Sequence, residues 1–261
     1  MNFKNTSYII MGGTTGMGLA AALVLNESGA KVLVVGRNEE NCKKVQQLLS
    51  QDCLTLAGDA TDPKTIDTAI EMAHSAFGTI TGLFHVAGGS GRRFGDGPLD
   101  QMTLEGWNKT FELNLTSLML SNKAIVNYFL KNNSAGKILN MGSVLGYSPS
   151  PKYFVTHAYA AAKSAIIGFS KSIASYYATN NICINVIAPS LFETPMAKRA
   201  VEDNDIQSFL QTKQPLDGGR PGKSEDINNA VLLFLAPSSN FITGQVLAVD
   251  GGWTISDGQY K

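Results

Sequence analysis

Short apolar segments rich in β-branched residues alternate along the chain with longer segments of helical periodicity. The short segments predict strands at residues 7–11, 31–35, 53–57, 83–87, 137–141, 182–188 and 245–249. The longer segments predict helices at residues 17–28, 38–50, 62–77, 104–130, 158–178 and 224–235, of which the fourth is long enough to bend. Strands that alternate with helices of this length are typical of right-handed βαβ units. The pattern therefore predicts an α/β fold, a mostly parallel sheet covered by helices on both faces.

No linker, charge block or internal repeat divides the sequence, which predicts a single domain over residues 1–261. Two irregular stretches, at about residues 88–98 and 191–216, each follow a predicted strand. Because loops at the carboxyl ends of parallel strands form the ligand crevice, both stretches are predicted substrate loops. In the second, Phe209, Leu210 and Leu216 continue an amphipathic pattern from Phe192, which predicts a mobile lid or, alternatively, an ordinary surface helix.

The charge balance limits the kind of partner. The chain carries 21 Lys and Arg against 21 Asp and Glu, and charged residues make up only 16% of it. A formal net charge of zero supplies no basic field for a nucleic acid. Because a weakly charged surface is easily covered by another subunit, we expect an oligomer that acts on a small molecule.

Other sequence features exclude further classes of protein. No apolar run reaches the ~20 residues of a membrane span, and the N-terminus lacks the pattern of a signal peptide. Cys42, Cys53 and Cys183 are an odd and scattered set, which indicates free thiols in a reducing compartment. The three histidines share no metal-ligand spacing with the cysteines or with each other. We therefore expect a cytoplasmic protein without a membrane segment or a metal site.

A glycine-rich segment follows the first predicted strand and opens the first predicted helix, with Gly12, Gly16 and Gly18 as its spaced glycines. Gly12 would allow a tight turn, Gly16 the approach of a pyrophosphate, and Gly18 the close packing of helix on strand. A glycine turn without a ligand is the alternative. The position between strand and helix favours a dinucleotide site.

The end of the second predicted strand bears on the choice of cofactor. An NAD site places a carboxylate here for the ribose hydroxyls, whereas the 2′-phosphate of NADP needs a cation. Gly36 brings no side chain to the carboxylate position, and Arg37 supplies a guanidinium suited to phosphate. A solvated arginine at the start of a helix is the alternative. We expect NADP(H) rather than NAD(H).

Tyr159 and Lys163 are four residues apart on a predicted helix, which places a phenol and an ammonium on one face. With 8 tyrosines in the chain, such a pair also arises by chance. The context favours a site, because Ser143 lies upstream at the end of the fifth predicted strand.

With these pieces the sequence resembles the short-chain dehydrogenase/reductase family over nearly its whole length. Further matching pieces are Gly58-Asp59, Ala87-Gly88, Asn114, Asn185-x-x-x-Pro189, Thr194, Thr243-Gly244-Gln245 and Val249-Asp250-Gly251-Gly252. The resemblance implies a three-layer Rossmann fold with a doubly wound, seven-stranded parallel sheet, assembled as a homotetramer or homodimer. It also implies metal-free hydride transfer between alcohols and carbonyls.

The same resemblance implies roles for individual residues. Tyr159 resembles the general acid/base that protonates the carbonyl oxygen, and Lys163 would lower its pKa from the free value of about 10 and hold the nicotinamide ribose. Ser143 would donate to the substrate oxygen, and Asn114 would anchor a water that links Lys163 to solvent. Thr194 would bind the carboxamide and Asp59 the adenine. Together with Tyr159 and Lys163, the expected cofactor-binding residues are Gly12, Thr14, Thr15, Gly16, Met17, Gly18, Arg37, Asp59, Ala60, Ala87, Gly88, Pro189, Phe192 and Thr194.

Two departures from the family pattern stand out. His85 replaces the first Asn of the usual Asn-Asn-Ala-Gly, and we expect a buried, hydrogen-bonded imidazole, with a catalytic one as the alternative. The interval between Ser143 and Tyr159 is slightly longer than is common, and its extra residues would reshape a pocket wall.

Residues that would select the substrate are less marked. Arg92 and Arg93, in the first substrate loop, are candidate contacts for an anionic group such as a carboxylate or phosphate. Two solvated loop arginines are the alternative. His157 would line the pocket or cap the preceding loop.

We therefore expect an NADP(H)-dependent oxidoreductase that interconverts a secondary alcohol and a ketone. The alternative among enzymes is a reductase of 3-oxoacyl thioesters carried on acyl-carrier protein or CoA. The alternative outside enzymes is a catalytically idle NADPH-binding sensor or structural subunit, against which the complete set of Ser143, Tyr159, Lys163 and Asn114 argues.

Overall fold

The computed structural model describes residues 1–259; Tyr260 and Lys261, which end the predicted domain, lie outside the described part. The strands are β1 (Ser7–Met11), β2 (Lys31–Gly36), β3 (Leu54–Ala57), β4 (Gly82–His85), β5 (Gly136–Met141), β6 (Ile182–Pro189) and β7 (Val246–Val249). They form one sheet in the order β3-β2-β1-β4-β5-β6-β7, and all neighbours pair in parallel. The order reverses between β1 and β4, the point at which such sheets bind ligands. The predicted doubly wound parallel sheet is confirmed.

Helices join the strands and cover both faces of the sheet. They are α1 (Gly16–Glu27), α2 (Glu39–Leu48), α3 (Pro63–Phe77), α4 (Leu104–Phe111), α5 (Ser117–Lys131), α6 (His157–Tyr177), α7 (Lys198–Val201), α8 (Asn204–Lys213) and α9 (Asn228–Leu235). Within the described residues, no helix has the length and hydropathy that crossing a membrane requires.

Successive strand residues point to opposite faces, and both faces are apolar. Ile10 and Val34 pack on one face with residues from α1, α2 and α9. Ile9 and Leu33 pack on the other face with residues from α3, α5 and α6. Because both faces are buried, the strands are near-continuous apolar runs, as in parallel sheets generally.

Most predicted elements have bounds that differ by a few residues from those in the structure, and one predicted helix is divided. β4 ends at His85, not at residue 87. The helix predicted over 104–130 is interrupted by a π-helical turn, Glu112–Thr116, in which the Ser117 N–H bonds to the Glu112 carbonyl. A π turn inserts one residue and rotates the helix beyond it, so the two halves present different faces to the sheet.

The second predicted substrate loop contains two helices, α7 and α8, and packs on an apolar cluster. Leu191 and Leu210, the latter on α8, join a third apolar cluster around the buried Trp253. Phe209 packs at the edge of this cluster. Leu216 lies outside it and is 68% exposed.

Candidate active site

The predicted site residues converge at the carboxyl edge of the sheet. β1 ends at Met11, β4 at His85, β5 at Met141 and β6 at Pro189, and the register pairs Met11 with His85. The segments that leave these strand ends carry the glycine loop, Gly88 and the serine and threonine of the predicted site, so residues distant in sequence meet in one crevice.

The glycine loop turns tightly between β1 and α1. Gly12 has φ +85° and donates its N–H to the Val35 carbonyl at 2.9 Å. A Cβ on Gly12 would lie 2.7 Å from the Ala87 backbone nitrogen, and one on Gly18 would lie 2.2 Å from the Gly12 carbonyl oxygen. The α1 helix begins with no acidic residue in its first turn and no side-chain cap. Its positive end is therefore suited to an anion that approaches this bare backbone.

A side chain at position 36, at the end of β2, would collide with Thr14. Thr14 packs against Gly36 so closely that a Cβ there would lie 2.3 Å from the threonine Oγ1. Arg37 is exposed at the next position. Partial burial opposes the ionisation of Asp59, but hydrogen bonds from Thr61 and the nearby Arg37 guanidinium lower its pKa overall. A cation and an ionised carboxylate thus flank the predicted adenosine position.

Tyr159 and Lys163 lie in the first half of α6. The Lys163 Nζ is buried, donates to the Met141 carbonyl at 2.9 Å and lies 5.5 Å from the centroid of the Tyr159 ring. Burial lowers the pKa of Lys163 to about 8. Burial also raises the pKa of Tyr159 to about 12, and the Ser143 hydroxyl acts in the opposite direction by hydrogen bonding. The pKa of the phenol therefore lies above its free value, not below it as expected from Lys163, because burial outweighs any stabilisation of the phenolate, and the phenol is protonated at neutral pH.

Ser143 follows β5 and is buried beside the end of β6. Its hydroxyl donates to the Pro189 carbonyl at 3.4 Å and accepts from the Leu145 N–H at 3.2 Å. The structure thus brings together the serine, the tyrosine and the lysine that the sequence singled out.

Asn114 lies in the π turn between α4 and α5 and is buried. Its Nδ2 donates to the carbonyls of Gly89 and Thr110, each at 2.8 Å. A Cβ on Gly88 would lie 2.7 Å from the Asn114 Oδ1 and 3.7 Å from the Lys163 Nζ. Gly88, Asn114 and Lys163 are therefore immediate neighbours.

His85 lies beneath this site and is 1% exposed. Its Nδ1 is 3.1 Å from the Ser121 hydroxyl and its Nε2 is 3.4 Å from the Ser117 hydroxyl. Burial, together with the Lys163 charge, lowers the pKa of His85 to about 3. The imidazole is thus neutral, buried and hydrogen-bonded on both nitrogens.

The remaining predicted cofactor residues surround the same crevice. Thr194 lies over the glycine loop, because a Cβ on Gly16 would be 3.2 Å from its Cγ2. Phe192 is buried after β6. Thr15 precedes α1 as its N-cap. Met17 packs against the apolar cluster of one sheet face, and Ala60 and Ala87 pack against the cluster of the other.

The predicted substrate contacts lie at the rim. Arg92 and Arg93 are exposed on a 3₁₀ turn, Arg92–Phe94, and the Arg93 guanidinium stacks 4.7 Å from the Phe94 ring centroid. Partial burial and the charge of Arg199, on α7, lower the pKa of Arg92. The two predicted substrate loops therefore bring like charges close to each other. His157 is exposed as the first residue of α6.

The sequence did not point to Asp96. The residue is 4% exposed, and its carboxylate accepts hydrogen bonds from the backbone N–H groups of Ala158 and Tyr159, both at 3.0 Å. In sequence, Asp96 is one polar residue of an irregular loop, and its partners are 62 and 63 residues away. No local sequence pattern predicts a contact between residues so far apart in the chain.

The lengthened interval between Ser143 and Tyr159 forms one wall of a second cavity. Residues 149–153 face α8 and residues 257–259 across a space of about 540 Å³. Ser143 and Tyr159 are not among its described lining residues. Nor do His, Cys, Asp and Glu side chains of residues 1–259 gather into a group of three that could hold a metal ion.

The crevice fits a nicotinamide dinucleotide. Bare backbone at Gly12 and Gly18 adjoins the positive end of α1, where a pyrophosphate would lie. Arg37 and Asp59 flank one end of the crevice, and Tyr159 and Lys163 lie at the other.

Comparison with known proteins supports the same family. A family model described as enoyl-(acyl carrier protein) reductase matches residues 12–254. The chain is 33% identical over 252 residues to the 3-oxoacyl-[acyl-carrier-protein] reductase FabG of Escherichia coli K12. The matched region covers 97% of this chain and 98% of that protein. It is 32% identical over 250 residues, 95% of each chain, to the 2,5-dichloro-2,5-cyclohexadiene-1,4-diol dehydrogenase LinX of Sphingobium indicum.

Solved structures give the same result. A short-chain dehydrogenase/reductase from Mycobacterium ulcerans superposes with a TM-score of 0.89 at 27% identity, over 98% of this chain and 92% of that one. Levodione reductase superposes with a TM-score of 0.86 at 25% identity, over 97% of this chain and 99% of that one. The family and the enzyme class predicted from sequence are confirmed. The chain belongs to the short-chain dehydrogenase/reductase family, as an oxidoreductase of CH–OH and C=O groups.

Proposed function

We propose that this protein is an NADP(H)-dependent oxidoreductase that interconverts a secondary alcohol and a ketone. The observation that carries the proposal is the convergence of Ser143, Tyr159 and Lys163 beside the glycine loop. A nicotinamide bound there would supply or accept the hydride. The chain's own groups would orient the carbonyl and transfer a proton to its oxygen.

Tyr159 is the proposed proton donor in the reductive direction. With a pKa of about 12, its phenol holds the proton at neutral pH and can transfer it to a carbonyl oxygen that gains charge. The Ser143 hydroxyl would donate a second hydrogen bond to that oxygen and fix its position. Lys163 would stabilise the phenolate that remains, and Asn114 would hold a water through which the proton is replaced.

The preference for NADP(H) is part of the proposal. Arg37 offers a guanidinium at the end of β2, and the packing of Thr14 on Gly36 leaves no space for a competing carboxylate. Asp59, whose pKa the Arg37 guanidinium helps to lower, is the proposed adenine contact.

The second candidate function is reduction of a 3-oxoacyl thioester. It is favoured by the 33% identity to an enzyme named as a 3-oxoacyl-[acyl-carrier-protein] reductase. Arg92 or Arg93 would then contact an anionic part of the carrier. Activity on 3-oxoacyl thioesters well above that on simple ketones, reduced in the Arg92→Ala variant, would select this candidate over the first.

The proposal includes an assembly and a location. We propose one domain over residues 1–261, with substrate loops at about 88–98 and 191–216, assembled as a homotetramer or homodimer. We place it in the cytoplasm, because Cys42, Cys53 and Cys183 are buried, free thiols.

The test compares wild type with Tyr159→Phe on a panel of ketones and 3-oxoacyl thioesters with NADPH. Loss of the proton donor should lower kcat by about 10²- to 10⁴-fold, while NADPH affinity, measured by fluorescence titration, stays within about twofold because the ring remains. Tyr176→Phe, at an exposed position on the same helix, is the matched control. Equal turnover by wild type and Tyr159→Phe would refute the role of Tyr159.

A further inference from the structure

The helix that carries Tyr159 has an unusual beginning. Thr156, at the N-cap position of α6, makes no side-chain hydrogen bond to the first turn. The first-turn N–H groups of a helix have no partners within the helix and need acceptors from elsewhere. Here Asp96, in the first substrate loop, supplies these acceptors. One carboxylate oxygen accepts from the Ala158 N–H and the other from the Tyr159 N–H, each at 3.0 Å.

Contacts within its own loop and with α4 hold Asp96 in place. The Asp96 N–H donates to the Gly91 carbonyl at 3.2 Å, which closes the turn that precedes it. Thr103, the N-cap of α4, donates its hydroxyl to the Phe94 carbonyl at 2.9 Å. A Cβ on Gly106 would lie 2.3 Å from the Gly95 carbonyl carbon, so the first turn of α4 rests directly on the backbone beside Asp96.

The other end of the same loop contacts Asn114. The Asn114 side chain accepts from the Gly89 N–H at 3.3 Å and donates to the Gly89 carbonyl at 2.8 Å. Residues 89–96 therefore connect Asn114 at one end to the backbone of Tyr159 at the other. A buried carboxylate is costly unless it is hydrogen-bonded, and at this position its partners include the backbone of the proposed proton donor.

We propose that Asp96 is a positioning residue, which fixes the first turn of α6 and thereby the Tyr159 phenol relative to Ser143 and the substrate carbonyl. The inference rests on the proposed function of Tyr159. Asp96 acts through the helix backbone, so its loss should misplace the phenol while the glycine loop and Arg37 keep their geometry.

The experiment compares Asp96→Asn with Asp62→Asn. The asparagine at 96 keeps one acceptor oxygen but turns an N–H₂ group toward the second helix amide. Asp62 caps α3 by accepting from the Lys64 N–H at 3.0 Å, on a helix without proposed catalytic residues. We expect Asp96→Asn to lower kcat by about 10- to 100-fold, with KM and Kd for NADPH within about twofold. Asp62→Asn should keep kcat within about twofold.

Two outcomes would overturn the inference: kcat of Asp96→Asn within twofold of wild type, or kcat and NADPH binding falling together in proportion to the unfolded fraction. If Asp96→Asn does not fold, amide hydrogen exchange in the wild type decides. The N–H groups of Ala158 and Tyr159 should exchange as slowly as interior amides of α6, and rapid exchange would refute the contact. A wild type that binds NADPH but reduces no carbonyl would instead refute the proposed function, and leaves the exchange result unaffected.

Discussion

Single side chains in this protein take their chemistry from burial. Tyr159, Lys163 and His85 lie within one small region, and burial shifts each pKa toward the neutral form: to about 12 for the phenol, about 8 for the ammonium and about 3 for the imidazole. In the proposed reaction the protonated phenol donates to a carbonyl oxygen, and a charged Lys163 stabilises the phenolate that remains. The neutral imidazole below them adds no competing charge.

At the residue scale, Arg37→Ala tests the cofactor preference. A guanidinium bound to a phosphate forms charge-assisted hydrogen bonds worth about 1.5–3 kcal/mol, so KM for NADPH should rise by about 10- to 150-fold. KM for NADH should change little, because NADH has no 2′-phosphate. Steady-state kinetics with both cofactors measure the effect, and Arg93→Ala at the crevice rim is the control. A wild type that prefers NADH would contradict the proposal.

His85 gives a prediction about pH. Because its pKa is about 3 when folded and 6.5 when unfolded, only the unfolded chain binds this proton between those values. The contribution of the neutral His85 to the free energy of unfolding is complete above about pH 6.5. It is lost at about 1.4 kcal/mol per pH unit as the pH falls toward 3. Urea unfolding between pH 6 and 4 measures how the free energy of unfolding changes with pH. His85→Asn should reduce this slope by about 1.4 kcal/mol per pH unit. Equal slopes for wild type and His85→Asn would contradict the prediction.

At the scale of elements, α4, the π turn and α5 act as one support for the site. The π turn directs Asn114 toward Gly88 and Lys163, and the first turn of α4 supports the loop that holds Asp96. The exposed side of α4 carries an apolar cluster: Leu104 is 75% exposed, and Trp107, 38% exposed, stacks on Phe111 at 4.5 Å. Clustered exposed apolar side chains of this kind are typical of a subunit interface.

This face yields a prediction about assembly. If a second copy covers α4, the double variant Leu104→Lys/Trp107→Lys should sediment as a smaller species than wild type, because charges would be buried at the contact. Sedimentation velocity measures the change. Leu48→Lys, which alters a 60% exposed leucine at the end of α2, should keep the wild-type size. A monomeric wild type, or a double variant of unchanged size, would contradict the proposed assembly.

At the scale of the whole molecule, the sheet brings separate pieces of chain to one edge. Strands in the order β3-β2-β1-β4-β5-β6-β7 place the carboxyl ends of β1 and β4 side by side, with those of β5 and β6 next along the edge. Gly12, Gly88, Ser143 and Thr194 follow these four ends, although they are distant in sequence. The geometry of the candidate site is thus a consequence of strand order.

The sequence by itself determined the alternation of strands and helices, the glycine loop and the identities of Ser143, Tyr159 and Lys163. The alternation and the glycine loop follow from hydrophobic period and local spacing, and the three side chains were singled out by the resemblance to a known family. Only the tertiary structure decided the π turn at Asn114, the lack of space beside Gly36, the neutral state of His85 and the cap that Asp96 gives to α6. Each of these depends on a contact between segments far apart in the chain, or on burial, and neither quantity is present in a local pattern of residues.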